Sequence, residues 1–171
     1  MALHFTNLVK IQRHLIGNKT VVNSNPTNLL IRQLQELDIP EIMSAWEKAF
    51  RLAHPFIEDA FIDKQKIDIP TLYIPNTETW VCEVQGSVVG FIALMGNEVA
   101  ALFVDPVFHG KGIGRSLVNK AREIRDGDLS VDVFEENSIG RKFYAKYGFE
   151  YDSEYLFEDV GKLVLKLKLS S

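Results

Sequence analysis

The chain has 171 residues, 46% of them apolar, and a formal net charge of −4, which suits one domain with a single sizeable core. The mild acidity, with no dense Lys/Arg tract interleaved with aromatics, argues against a nucleic-acid partner, and no apolar run reaches the about 18 residues that span a bilayer. Residues 1 to 28 lack a continuous apolar stretch followed by a small-residue cleavage site, so the chain reads as soluble and cytoplasmic, without a membrane association.

Those first 28 residues hold Lys10, Arg13 and Lys19 but no acid, and end in the polar cluster Asn23 to Asn28, which reads as a flexible extension and linker ahead of a domain over 29–169. Leu29 to Gln33 is a short strand. Asp38 or Pro40 opens a helix through about Ala53, with Ile42, Ala45, Trp46, Ala49, Phe50 and Ala53 on one stripe. His54-Pro55-Phe56 breaks it, a second helix follows to about Lys66, and Pro70 and Pro75 mark an irregular passage. Trp80 to Gln85 and Val88 to Met95 form a hairpin, and Gly96-Asn97 turns into a third antiparallel strand, Val99 to Val104. The near-continuous apolar run Val88 to Met95 predicts a central strand covered on both faces.

A glycine-punctuated turn then leads into a helix ending near Ile124, and Leu129 to Phe134 follows as a strand parallel to the Val99 strand through a right-handed crossover. Ser138 to Tyr147 is the last helix, stopped by Gly148, and Glu150 to Phe157 pairs with Leu163 to Leu169 across the turn at Asp159 to Gly161. This order gives a mixed α/β (α+β) fold with seven strands and four helices. Cys82, the single cysteine, sits in an apolar strand and reads as core filler. His4, His14, His54 and His109 lack ligand spacing, so no metal is expected.

The turn itself carries the chemistry. In His109-Gly-Lys-Gly-Ile-Gly-Arg-Ser116, glycines alternate at Gly110, Gly112 and Gly114. A backbone with few Cβ atoms lets N–H groups approach an anion closely, the helix starting near Ile113 adds its unpaired first-turn donors, and Lys111 and Arg115 add full charges. The bound species should be polyanionic. A P-loop is excluded because Lys111 comes too early, and a dinucleotide fingerprint fits poorly because the third glycine comes one residue too soon.

This segment resembles the GNAT superfamily of acyl-CoA-dependent N-acyltransferases, whose signature is Gln/Arg-x-x-Gly-x-Gly/Ala at a strand-to-helix turn; His109 departs from it only at the first position. A second part of the pattern stands at Asn137-Ser-Ile-Gly-Arg-Lys-Phe-Tyr-Ala-Lys-Tyr-Gly-Phe149. The resemblance implies a mostly antiparallel seven-stranded sheet flanked by about four helices, two strands splayed around the cofactor. It implies that acetyl-CoA is the cosubstrate, and that the backbone at Leu102, Phe103 and Val104 pairs with the pantetheine. It also implies that amides from Gly110 to Ser116 bind the diphosphate, that Asn137 bonds the pantetheine, and that Tyr144 is the general acid. For the base, Glu98 at the start of the cofactor strand is the carboxylate in place, and His54 offers an imidazole with a pKa suited to neutral pH. His54 and Phe56, with Phe50, Phe61 and Tyr73, come from the region that builds acceptor pockets in such proteins.

The reading is an N-acetyltransferase that moves an acetyl group from acetyl-CoA to a primary amine of a small molecule or protein by direct attack, acting as a monomer or homodimer. A non-catalytic CoA-binding sensor or interaction module is the alternative, since the glycine loop would be the same in both.

Overall fold

The computed structural model describes residues 29–171; the expected extension and linker, residues 1–28, lie outside them. Seven strands form one sheet in the order β1-β2-β3-β4-β5-β7-β6, with β1 at Leu29–Gln33, β2 at Glu78–Val84, β3 at Ser87–Met95, β4 at Glu98–Val104, β5 at Leu129–Phe134, β6 at Glu150–Phe157 and β7 at Lys162–Leu169. Among the described residues, only β4 and β5 are parallel neighbours; every other pair is antiparallel. The predicted mixed, mostly antiparallel sheet is therefore the observed one.

The helices are α1 at Ile39–Ala53, α2 at Asp59–Asp68, α3 at Ile113–Ile124 and α4 at Ser138–Tyr147. The stretch expected to be irregular is instead helical, a π turn over Ile69–Tyr73 and a 3-10 turn over Ile74–Asn76. Pro70 and Pro75 each stand in the first two positions of their turn, where a missing N–H breaks no bond, so they start turns rather than end a helix.

Period-two alternation divides the sheet. Phe91 and Phe103 face the α1 side, where the Phe103 ring lies 6.2 Å from Phe50. Trp80, paired with Ile92, faces the other side, where Lys120 of α3 sits 4.4 Å from its ring. β3 is thus sandwiched between helices, and its residues from Val88 to Leu94 are all buried. Cys82 is fully buried beside it, and burial pushes its thiol up to about 12, consistent with a packing role.

Candidate active site

The parallel ladder joins β4 to β5 only at Glu98 with Ser130 and Val99 with Val131; from there the strands part. On its other edge β4 bulges, since Ala93 pairs with Ala101 and Leu94 with Val99, leaving Ala100 extra. The wedge opens into a cavity of about 400 Å3. It is walled by Ala49 and His54 of the α1 end, Leu102 to Val104 of β4, the glycine loop, and α4 with Asn137 before it. A crevice beyond the carboxyl ends of strands is where an open sheet leaves room for a ligand.

The loop is held from both sides. Asp105 accepts from Lys48 Nζ of α1 at 2.7 Å and from the Val107 amide at 3.1 Å, fixing the short turn at Pro106–Phe108. His109 Nε2 then donates to the Val104 carbonyl at 2.9 Å. The imidazole is folded back on the strand end, so at this departure from the family pattern the side chain ties the loop down.

The three glycines do different work. Gly110 (φ 75°) and Gly112 (φ 83°) adopt left-handed conformations, and a Cβ on either would meet nothing within 4 Å because it would point into the open cleft. Gly114 has an ordinary helical backbone, but its Cβ would lie 3.0 Å from Phe143 Cε2, so it lets α3 pack tightly on α4. Gly112 is the N-cap of α3, and the Ser116 amide closes the first helical bond to its carbonyl at 3.0 Å. This corrects the expected span of donors: the Ser116 N–H is spent inside the helix, while Gly112, Ile113, Gly114 and Arg115 have no intrahelical acceptor. Lys111 lies over the Phe108 ring at 4.7 Å and Arg115 over Tyr147 at 5.2 Å, both beside the loop. Gly112→Ala should raise the Kd for acetyl-CoA about tenfold by calorimetry, since a left-handed conformation costs a side-chain-bearing residue roughly 1–2 kcal/mol; an unchanged Kd would refute the cradle.

Asn137 caps α4, its Oδ1 accepting from the Gly140 amide at 2.8 Å while its Nδ2 donates to His54 Nε2 at 3.1 Å. His54 Nδ1 in turn donates to the Phe50 carbonyl at 3.0 Å, which fixes the tautomer. Residues 83 apart in sequence are thereby locked across the cavity wall. His54 is 1% exposed, and burial drives its pKa from 6.5 down to about 2, so the expected imidazole suited to neutral pH is not present; the ring is a neutral brace. The sign is definite, because a folded-state pKa below the unfolded value gives stability that is complete above pH 6.5 and lost as pH falls towards 2. The urea midpoint should therefore drop between pH 7 and pH 5 more in the native chain than in His54→Gln, and equal slopes would remove this assignment.

Tyr144 lines the same cavity. Its hydroxyl is buried without a hydrogen-bond partner among the described residues, and burial pushes its pKa well above the ordinary phenol range.

The sequence pattern of the Acetyltransferase (GNAT) domain family matches residues 75–151, which takes in the splayed strand, the glycine loop and α4. Peptidyl-lysine N-acetyltransferase YjaB of Salmonella typhimurium is 30% identical over 133 residues, 77% of this chain and 90% of that protein. The chain belongs to the GNAT acetyltransferases. The solution structure of apo YjaB from Escherichia coli, 26% identical, superposes with a TM-score of 0.74 over 82% of this chain and 96% of that one. An N-acetyltransferase of Thermoplasma acidophilum solved with coenzyme A, 19% identical, has the same fold, with a TM-score of 0.70 over 82% of this chain and 99% of its own.

This GNAT acetyltransferase therefore transfers an acetyl group to an amine as an enzyme, and the alternative of a binding module without turnover is not favoured. Among the described residues no helix is long and apolar enough to cross a membrane, and no group of three or more His, Cys, Asp or Glu side chains is placed to hold a metal. Of the residues read from sequence, Leu102 to Val104, His109, Gly110, Gly112 to Arg115, Asn137, Tyr144 and His54 all line the one cleft. Phe56 stands outside it, its ring 5.7 Å from those of His54 and Phe134, and Glu98 sits at the closed end of the wedge. The sequence reading missed the wall formed by Ile139, Gly140 and Phe143. Gly140 carried a signal: a Cβ there would lie 2.7 Å from Asn137 Nδ2, so the cap needs a glycine at this helical position.

Proposed function

We propose that this enzyme acetylates the side-chain amine of lysine in peptides or proteins, with acetyl-CoA as donor. The observation that carries the reading is the aromatic cluster on the α1 side of the sheet, beside Phe50 and His54. There the Phe134 ring lies 5.7 Å from Phe56 and 6.1 Å from Phe157, and Phe61 lies 6.4 Å from Phe157, which suits an alkyl chain, while Glu98 at the start of β4 supplies acidity for its charged tip. The peptidyl-lysine acceptor in the name of the YjaB relative agrees with it.

On this reading the domain spans 29–169, and the diphosphate rests on amides from Gly110 to Arg115 with Lys111 and Arg115 adding charge. The pantetheine runs along β4 at Leu102 to Val104 and past Asn137, and a β4 amide polarises the thioester carbonyl. The amine loses its proton towards the acidic group that includes Glu98, attacks the carbonyl carbon, and the departing thiolate takes the proton of Tyr144. His54 and Phe56 shape the acceptor side. The enzyme works in the cytoplasm as a monomer or homodimer and needs no metal. Incubation with acetyl-CoA and a lysine peptide panel, read by mass spectrometry, should add one acetyl group at the side-chain nitrogen. Acetylation of small amines alone would overturn the lysine assignment.

A further inference from the structure

The aromatic face also holds a buried carboxylate that the scheme above does not use. Asp132 stands on β5 one residue past the last β4–β5 pair, at the point where the strands part and level with the Ala100 bulge. Two residues before Phe134, it shares the face that Phe134 turns to His54, at 5.5 Å between rings. Asp132 is 2% exposed, yet only one of its oxygens is engaged: Oδ2 accepts from Tyr155 Oη of β6 at 2.8 Å, while Oδ1 is buried with no hydrogen-bond partner among the described residues. A buried carboxylate oxygen with no donor calls for an explanation, and a donor arriving with the ligand supplies one.

Both acidic and basic groups surround Asp132 on this face. Burial, Asp132 and Glu98 together push the Tyr155 phenol well above its usual range, so it remains a donor, and the effect places Glu98 of β4 in the same electrostatic neighbourhood. Lys166, the register neighbour of Asp132 on β7, stands on this face, and His54 from the α1 side is neutral.

We propose that, within the acidic group that includes Glu98, Asp132 receives the acceptor ammonium and takes its proton, with Tyr155 as the residue that positions the carboxylate and Glu98 deepening the negative potential beside it. The inference rests on the lysine reading above. One proton passes from the ammonium to Asp132 Oδ1, and the freed lone pair forms the bond to the thioester carbon. The C–S bond then breaks with its electron pair on sulfur, which takes the proton of Tyr144. The second nitrogen proton restores the Tyr144 hydroxyl, and Asp132 releases its proton to solvent, leaving amide, thiol and one proton as products.

The test compares the native enzyme with Asp132→Asn, Asp132→Glu and Tyr155→Phe on a lysine peptide and on a small alkylamine, across pH, with acetyl-CoA affinity measured by calorimetry. Asp132→Asn should lower kcat by about 10²-fold or more and lose the acidic limb of the kcat/KM profile, with acetyl-CoA affinity unchanged, and Asp132→Glu should regain part of the rate. Tyr155→Phe should move the acidic limb to higher pH, because a carboxylate stripped of a donor is easier to protonate. An Asp132→Asn rate within about threefold of native with an unchanged limb overturns the proposal, given a base's usual contribution. Should that variant not bind acetyl-CoA, an unmoved limb in Tyr155→Phe overturns it instead. If the native enzyme acetylates the alkylamine and no lysine peptide, the lysine reading falls while the same profiles on the alkylamine still judge Asp132.

Discussion

Tyr144→Phe should reduce kcat by about 10²- to 10³-fold while leaving the Kd for acetyl-CoA within about twofold, the range in which general acids contribute. Phe keeps the ring and its packing against Phe143 and Phe149, whose centroids both lie 5.2 Å away, and removes only the hydroxyl. That hydroxyl makes no hydrogen bond among the described residues, so its loss removes none of their interactions and should not destabilise the protein. Burial raises its pKa, and the sign matters: the phenol stays protonated throughout the neutral range and is always ready to donate. Its strength as an acid is suited to a nascent thiolate, which ordinary thiol chemistry places at about 8.5, only when the transition-state charge has developed beside it. Stopped-flow thiol release with calorimetry in parallel separates the two quantities. A variant that releases thiol at the native rate would place Tyr144 in the wall of the cleft and nothing more.

The second large effect is expected at Gly90, far from any reacting atom. A Cβ added there would lie 2.8 Å from the Phe103 carbonyl oxygen, 3.0 Å from Val104 Cγ2 and 3.1 Å from Val104 Cα. None of these is the far end of a flexible side chain. β3 is clamped between helices on both faces, so the strain in Gly90→Ala falls on the last residues of β4, the segment proposed to meet the pantetheine. Overpacking of this kind costs about 1–3 kcal/mol, and the urea midpoint should fall accordingly. The Kd for acetyl-CoA should rise about tenfold or more, because shifting one strand end by a fraction of an ångström spoils donors aimed at a fixed ligand. Stability lost with affinity unchanged would mean that the end of β4 does not carry the cofactor.

The glycine pattern at 110, 112 and 114, followed by Asn137 and Tyr144, singled out residues that the fold brings to one cleft, because a backbone anion site calls for particular residue types at short local spacing. The seven strands were equally legible, since alternating or continuous apolar runs bounded by turn residues are local signals. The proline-marked stretch from Ile69 to Asn76 was misread for a related reason: a proline is disruptive inside a helix and harmless in its first turn, and which applies depends on neighbouring turns.

What sequence determined, then, was the ladder of elements and the glycine-rich turn between β4 and α3, both set by neighbours a few residues apart. Only the tertiary structure decided the states of the titratable groups. His54 becomes a neutral brace because burial in the cavity wall disfavours its charged form, while Asn137, 83 residues away, holds its Nε2. The Ser116 amide is spent inside α3 because Gly112 starts the helix, and Asp132 keeps one buried oxygen without a hydrogen-bond partner among the described residues. Burial and long-range pairing fix protonation and donor supply, and neither is written in the spacing of a single segment.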